Sequence, residues 1–232
     1  MGVSKDGVVV VVHDQQINSH ICQYKDGSDA LPGLWVHQLT LEQIKQFDCG
    51  SKKNPRFDKQ QIVPGTEIPT LDEVFDMVAS SGLANAKTIR FNIETKSSPE
   101  KPHAQPPAKE FVTAVLDVVQ KFDLESRVTL QSFDPATLLA AKEFAPTLQR
   151  SILLRNKPDN WVTMAESVGA DIVSPYHKLL TFKDVEQIQD AGLTVIPWTA
   201  NSKRQWARLI KLGVDGIITD DPEALLRYIE RI

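Results

Sequence analysis

Residues 150–174, RSILLRNKPDNWVTMAESVGADIVS, place two short aliphatic and β-branched runs, Arg150 to Leu154 and Asp171 to Ser174, on either side of an amphipathic helical stretch. Two strands joined by a helix run parallel, because the crossover returns the chain to the same end of the sheet. The alternation continues through the chain after residue 85. Further strands are expected over Thr88 to Glu94, Arg127 to Gln131, Leu193 to Trp198 and Gly216 to Thr219, giving six parallel strands in all. Helix signals stand between them: Asp134 then Pro135, Asp221 then Pro222, and Ser202 followed by Gln205 as a capping box, with Gly192 and Gly213 where helices should stop. From Ala108 to Phe122 the spacing of Phe111, Val115, Val118, Val119 and Phe122 gives a helix with one apolar face, to be laid against a sheet. The fold class is therefore α/β, built from repeated βα units.

Composition narrows the function. At 232 residues and 41% hydrophobic content the chain can bury a sizeable core, and one domain spanning 1–232 is expected. A net charge of -4 leaves no basic footprint for nucleic acid. No apolar run approaches the roughly 18 residues of a membrane span. Met1 to Gly7 has neither the basic nor the apolar region of a signal peptide. Cys22 and Cys49 could pair within the loop region they share, but two cysteines are too few to argue a disulfide scaffold, and free, structurally neutral thiols are expected.

The N-terminal third departs from the βα pattern. Asp6-Gly7 lies between extended runs and favours a two-residue type I′ turn, which would set Lys5 opposite Val8 and Met1 opposite Val12. Residues 14–66 are polar, rich in Gly, Asn, Lys and Pro, and have the character of an insertion. Within them Thr40 and Gln43 form a capping box that starts a short helix ending near Phe47, and Thr70 and Glu73 start another after them.

Two features carry chemistry. His13 follows the strand Val8 to Val12; such a histidine is a candidate acid/base, or simply a surface residue. Asn92-Ile93-Glu94-Thr95-Lys96 ends a strand with a carboxylate and an ammonium two residues apart, hence on one face, at the end of the sheet where α/β barrels build their sites. Such a pair can hold a divalent cation and a phosphate oxygen together, or can form an ordinary salt bridge.

Together these segments resemble the glycerophosphodiester phosphodiesterase family. The matching stretches are Ser4 to Gly7 with Val9 to Asp14, Ile68 to Val74, Asn92 to Lys96, Gln131 to Asp134, Trp198 to Asn201, and Gly213 to Pro222, in the family's order. The resemblance implies a TIM-type (β/α) barrel. It further implies cleavage of a small-molecule glycerophosphodiester to glycerol 3-phosphate and an alcohol, with one divalent cation, Mg²⁺ or Ca²⁺. On the same resemblance His13 is an acid/base histidine, Glu94 a metal ligand and Lys96 a phosphate contact. Gln131, Phe133 and Trp198 line the substrate site. Asp220 and Asp221 are not carried over as ligands, because Asp221-Pro222-Glu223 reads as a helix cap.

The family's His-Arg-Gly strand, Pro-Glu-Asn-Thr helix start and Glu-x-Asp strand have no counterpart ahead of Lys5, so the barrel is expected to be N-terminally incomplete, with about six of eight strands plus a hairpin. From this follow expectations of low activity and of self-association through exposed sheet edges. Rival readings keep the barrel but change the leaving group, as in phospholipase C-like and sphingomyelinase D-like relatives, or make the chain a non-catalytic domain.

Overall fold

The computed structural model describes residues 1–57 and 59–232. The backbone divides into two compact units, residues 1–128 and 129–232.

The first unit opens with a hairpin in which β1 (Gly2–Val3) pairs antiparallel with β2 (Val9–Val10), Gly2 opposite Val10 and Val3 opposite Val9. This register is one residue off the expected one. Only Gly7 takes a positive φ, 84°, so Asp6 cannot be in a type I′ turn. Instead the Ser4 hydroxyl accepts from Val8 N–H at 2.9 Å, Gly7 N–H returns to Ser4 O, and Lys5, Asp6 and Gly7 form a three-residue loop. Asp6 is used elsewhere, its carboxylate accepting from Leu41 N–H at 2.9 Å.

Beyond the hairpin, residues 14–66 are organised by two-residue strands β3 (Gln23–Tyr24) and β4 (Phe47–Asp48), antiparallel, with the short helix α1 (Leu41–Ile44) before β4. The α1 capping box between Thr40 and Gln43 forms in full. Buried Ile17, Val36, Ile44, Phe47 and Ile68 give this region its own small core. Here the expectation of free cysteines fails. Gln23 lies opposite Asp48 and Tyr24 opposite Phe47, so the next pair along the same ladder is Cys22 and Cys49, which form a disulfide with a Cα–Cα distance of 4.0 Å. The cross-link is a consequence of register, which two-residue strands do not announce in sequence.

Helix α2 (Leu71–Ser80) starts at the Thr70 and Glu73 capping box, and α3 (Ala108–Lys121) buries Phe111, Val112, Val115, Leu116 and Val119 on one stripe. Between them runs β5 (Phe91–Thr95), three residues shorter at its start than expected. The Arg127 guanidinium takes the carbonyls of Ala86 and Ile89, at 2.7 Å from Nη2, so those groups have no need of a strand partner.

The second unit is a regular parallel α/β array. Strands β6 (Val128–Ser132, beginning at the junction), β7 (Gln149–Leu154), β8 (Ile172–Pro175) and β9 (Thr194–Val195) pair in that order, all parallel. Helices α4 (Pro135–Phe144), α5 (Trp161–Val168), α6 (Phe182–Asp190), α7 (Lys203–Leu212) and α8 (Pro222–Ile229) alternate with them. Asp134, Ser202 and Asp221 serve as N-caps, as the sequence implied; the Asp221 carboxylate accepts from Ala224 N–H at 3.0 Å.

The expected sixth strand, Gly216 to Thr219, does not form a ladder. Asp215 N–H reaches Val195 O and Ile218 N–H reaches Pro197 O, so the segment lies beside the continuation of β9. Proline at 197 supplies no N–H to return on that side, which breaks the alternation of a parallel ladder; on the β8 side Ile196 and Trp198 N–H still donate to Val173 O and Pro175 O, and β9 ends early because Pro175 has no N–H to give back.

The core of this unit is filled by Leu138, Ile152, Trp161, Val173, Val185 and Leu209, each from a different element. Trp161 is fully buried, and its indole N–H donates to Asp184 at 2.8 Å. Burial alone would raise the Asp184 carboxyl, but hydrogen bonds from Lys157, Thr181 and Trp161 prevail and hold it down to about 2. A folded-state value below the ordinary one means stability that is complete above about pH 4 and lost as pH falls toward 2. Asp184→Ala should remove part of that acid sensitivity and, by orphaning the indole N–H, cost about 1–3 kcal/mol. Urea titrations across that pH window check this; parallel losses in both proteins would contradict it.

Candidate active site

Strand β5 alternates as its sequence requires. Ile93 and Thr95 are buried on one side, while Glu94 and the following Lys96 share the other. Their side chains meet, Lys96 Nζ lying 2.9 Å from Glu94 Oε2 with both groups about four-fifths buried. Lys96 also reaches His13, its Nζ lying 3.4 Å from Nε2. The three first-unit residues singled out in the sequence therefore converge, with Lys96 between the other two. The backbone beyond β5 is fixed by Gln15, whose side-chain amide donates to Lys96 O at 2.6 Å, and by Met1, whose carbonyl accepts from Lys96 N–H.

His13 is oriented from its far side. Its Nδ1 lies 2.9 Å from Asp14 Oδ1, so the proton sits on Nδ1 and the Nε2 lone pair faces Lys96. Burial would raise the Asp14 carboxyl, yet hydrogen bonds from His13 and Asn18, with the nearby charges of His13 and Lys96, hold it below the usual carboxylate range. Asp14 remains an acceptor for the imidazole.

Glu94 Oε1 is buried and has no hydrogen-bond partner among the described residues. A carboxylate oxygen withdrawn from water without a donor costs free energy, and a hard divalent cation is the partner that suits it. The residue thus fits the metal-ligand role. Among the described residues no group of three or more His, Cys, Asp or Glu side chains is gathered to hold a metal ion.

In the second unit Gln131 is buried in β6 and Phe133 lies just past that strand. The Phe133 ring meets Trp198 edge to face with centroids 5.4 Å apart, and Trp198 Nε1 donates to Ser174 O at 2.9 Å. Two residues that sequence reasoning passed over join them. Tyr176 lies 5.5 Å from Trp198, and the Arg155 guanidinium stands 4.5 Å from the Phe133 centroid and 5.6 Å from that of Trp198. Both follow parallel strands directly, a position that marks barrel-mouth residues in general but singles out neither.

A carboxylate with one unpaired oxygen, an ammonium and a carboxylate-oriented imidazole gathered past the end of a strand could together engage a cation and a phosphoryl group. The chain belongs to the glycerophosphoryl diester phosphodiesterase family, which it matches over residues 2–224. It is accordingly a phosphoric diester hydrolase of the α/β, TIM-type class, and glycerophosphodiesters are the substrates of its relatives' named activity. The glycerophosphodiester phosphodiesterase of Caldanaerobacter subterraneus subsp. tengcongensis is 31% identical over 230 residues, covering 99% of this chain and 83% of that protein. One from Bacillus subtilis is also 31% identical, over 95% of this chain and 72% of its own length. Among solved structures, a candidate glycerophosphoryl diester phosphodiesterase from Silicibacter pomeroyi superposes with a TM-score of 0.89 at 28% identity, covering 99% of this chain and 81% of the other. An Oleispira antarctica phosphodiesterase, solved in complex with the product sn-glycerol-3-phosphate, shares the fold at a TM-score of 0.76 and 23% identity, over 98% and 82% of the two chains.

No helix among the described residues is long and apolar enough to cross a membrane.

Proposed function

We propose that this chain acts as one catalytic domain, with residues 14–66 inserted, that hydrolyses glycerophosphodiesters to glycerol 3-phosphate and an alcohol. The observation that carries the reading is the buried, partnerless Oε1 of Glu94 beside Lys96, which in turn contacts His13. Glu94 would hold one divalent cation, Mg²⁺ or Ca²⁺, which when bound supplies positive charge to the phosphoryl oxygens. Lys96 swings its ammonium from Glu94 to a phosphate oxygen, a move that needs only rotation of its long side chain. His13 exchanges a proton at Nε2 with the attacking water or the departing alcohol, while Asp14 stabilises the imidazolium formed. Gln131, Phe133 and Trp198 take the substrate-contact roles implied by the family resemblance. The product found in the Oleispira structure supports glycerol 3-phosphate as the phosphorus-bearing product here.

Lys96→Met keeps the aliphatic stem and removes the charge. With glycerophosphocholine and Mg²⁺ it should lower kcat/KM by roughly ten- to a hundredfold, the loss expected for one charged hydrogen bond to the phosphate. A variant with unaltered kcat/KM would remove Lys96 from contact with the phosphate.

A further inference from the structure

His13 is the least supported member of the site. Its side chain is 81% exposed, so packing does not set its ring; only hydrogen bonds can. The bond that fixes its tautomer comes from Asp14, whose side chain is itself 47% exposed and would rotate freely if left alone. It is not left alone. Asn18 Nδ2 donates to Asp14 Oδ2 at 2.9 Å, leaving Oδ1 for the imidazole.

Asn18 is fixed in turn. Its Oδ1 accepts from His20 N–H at 3.1 Å, which defines the amide's orientation: a flip would set an NH₂ against a backbone N–H and an oxygen against a carboxylate. Its carbonyl accepts from both Ile21 and Cys22 N–H, at 3.0 and 2.8 Å, and Cys22 is cross-linked to Cys49. A continuous series of bonds thus runs from the disulfide through the turn at Asn18 to Asp14 and the imidazole.

We propose that Asn18 is a positioning residue, which holds Asp14 so that His13 carries its proton on Nδ1 and presents Nε2 as the reactive nitrogen. The proposal rests on the acid/base role given to His13 above, but its main readout does not require turnover. The informative substitution is Asn18→Asp, which keeps the acceptor for His20 N–H, and so the turn, but replaces the donor to Asp14 with a repelling carboxylate.

The experiment is long-range ¹H–¹⁵N spectroscopy of the imidazoles at about pH 8, above the ordinary histidine pKa, with the His13 signals assigned by their loss in His13→Asn. Wild type should show His13 mainly as the Nδ1–H tautomer. Asn18→Asp and Asn18→Ala should both move the population toward Nε2–H, with the disulfide retained in both and the melting temperature retained in Asn18→Asp, which keeps the acceptor for His20 N–H. Where turnover is measured, kcat should fall by about ten- to a hundredfold with KM little changed. An unchanged tautomer ratio in a folded Asn18→Asp protein would overturn the proposal, as would a raised KM at constant kcat. Failure of the wider functional reading shows differently, as absent diester hydrolysis in a wild type that still holds the Nδ1–H tautomer.

Discussion

Glu94→Gln is expected to abolish divalent-metal-dependent turnover while leaving the fold intact. The substitution preserves shape and can still accept a hydrogen bond from Lys96 through its amide oxygen, so the end of β5 should keep its geometry. What disappears is the negative charge at the buried, partnerless Oε1, which is the feature that favours a cation there. Loss of a charge-stabilising group aimed at a transition state typically costs about 10²-fold or more in kcat. The measurement is initial rate against Mg²⁺ and Ca²⁺ concentration, with circular dichroism melting as the control on folding. A variant that keeps the wild-type metal dependence would sink the ligand assignment.

Cys22→Ser should destabilise the first unit substantially. The disulfide joins residues 27 apart and closes a loop containing α1 and β3, and the chain-entropy estimate for a loop of that length is about 3.5 kcal/mol. Cys22 is buried beside Ile17 and Phe47, so the serine hydroxyl also enters an apolar setting. The midpoint of urea unfolding should drop in Cys22→Ser, drop similarly in wild type treated with dithiothreitol, and not respond to dithiothreitol in the variant. Equal midpoints in oxidised and reduced wild type would show that the cross-link contributes nothing. Disulfides persist in oxidising surroundings, so a reduced form should be prone to open around residues 22–49 first.

What the sequence made legible follows from the range of the interactions involved. Capping boxes at Thr40, Thr70 and Ser202 were readable because both partners lie within three residues, and all three form. The pairing of Glu94 with Lys96 was readable because strand alternation is a local rule. Features that depend on register were not. The Asp6-Gly7 pair suggested one hairpin turn, but the Ser4 hydroxyl captures Val8 N–H and sets another, moving the register by one residue. The disulfide depends on that kind of information too, since Cys22 and Cys49 meet only because two very short strands align. At Gly216 to Thr219 the composition is that of a strand, yet Pro197 across from it lacks the donor a ladder needs. Asp14 stood in view beside His13, whereas the contribution of Asn18 depends on a turn conformation that spacing does not encode.

The central claim, that the Glu94, Lys96 and His13 constellation serves metal-assisted hydrolysis of a glycerophosphodiester, is tested most directly by ³¹P nuclear magnetic resonance of glycerophosphocholine incubated with the protein. The account predicts that the diester signal gives way to glycerol 3-phosphate, with Mg²⁺ or Ca²⁺ required and the conversion lost in Glu94→Gln. Formation of phosphocholine and free glycerol, or conversion unaffected by chelation of divalent cations, would contradict it.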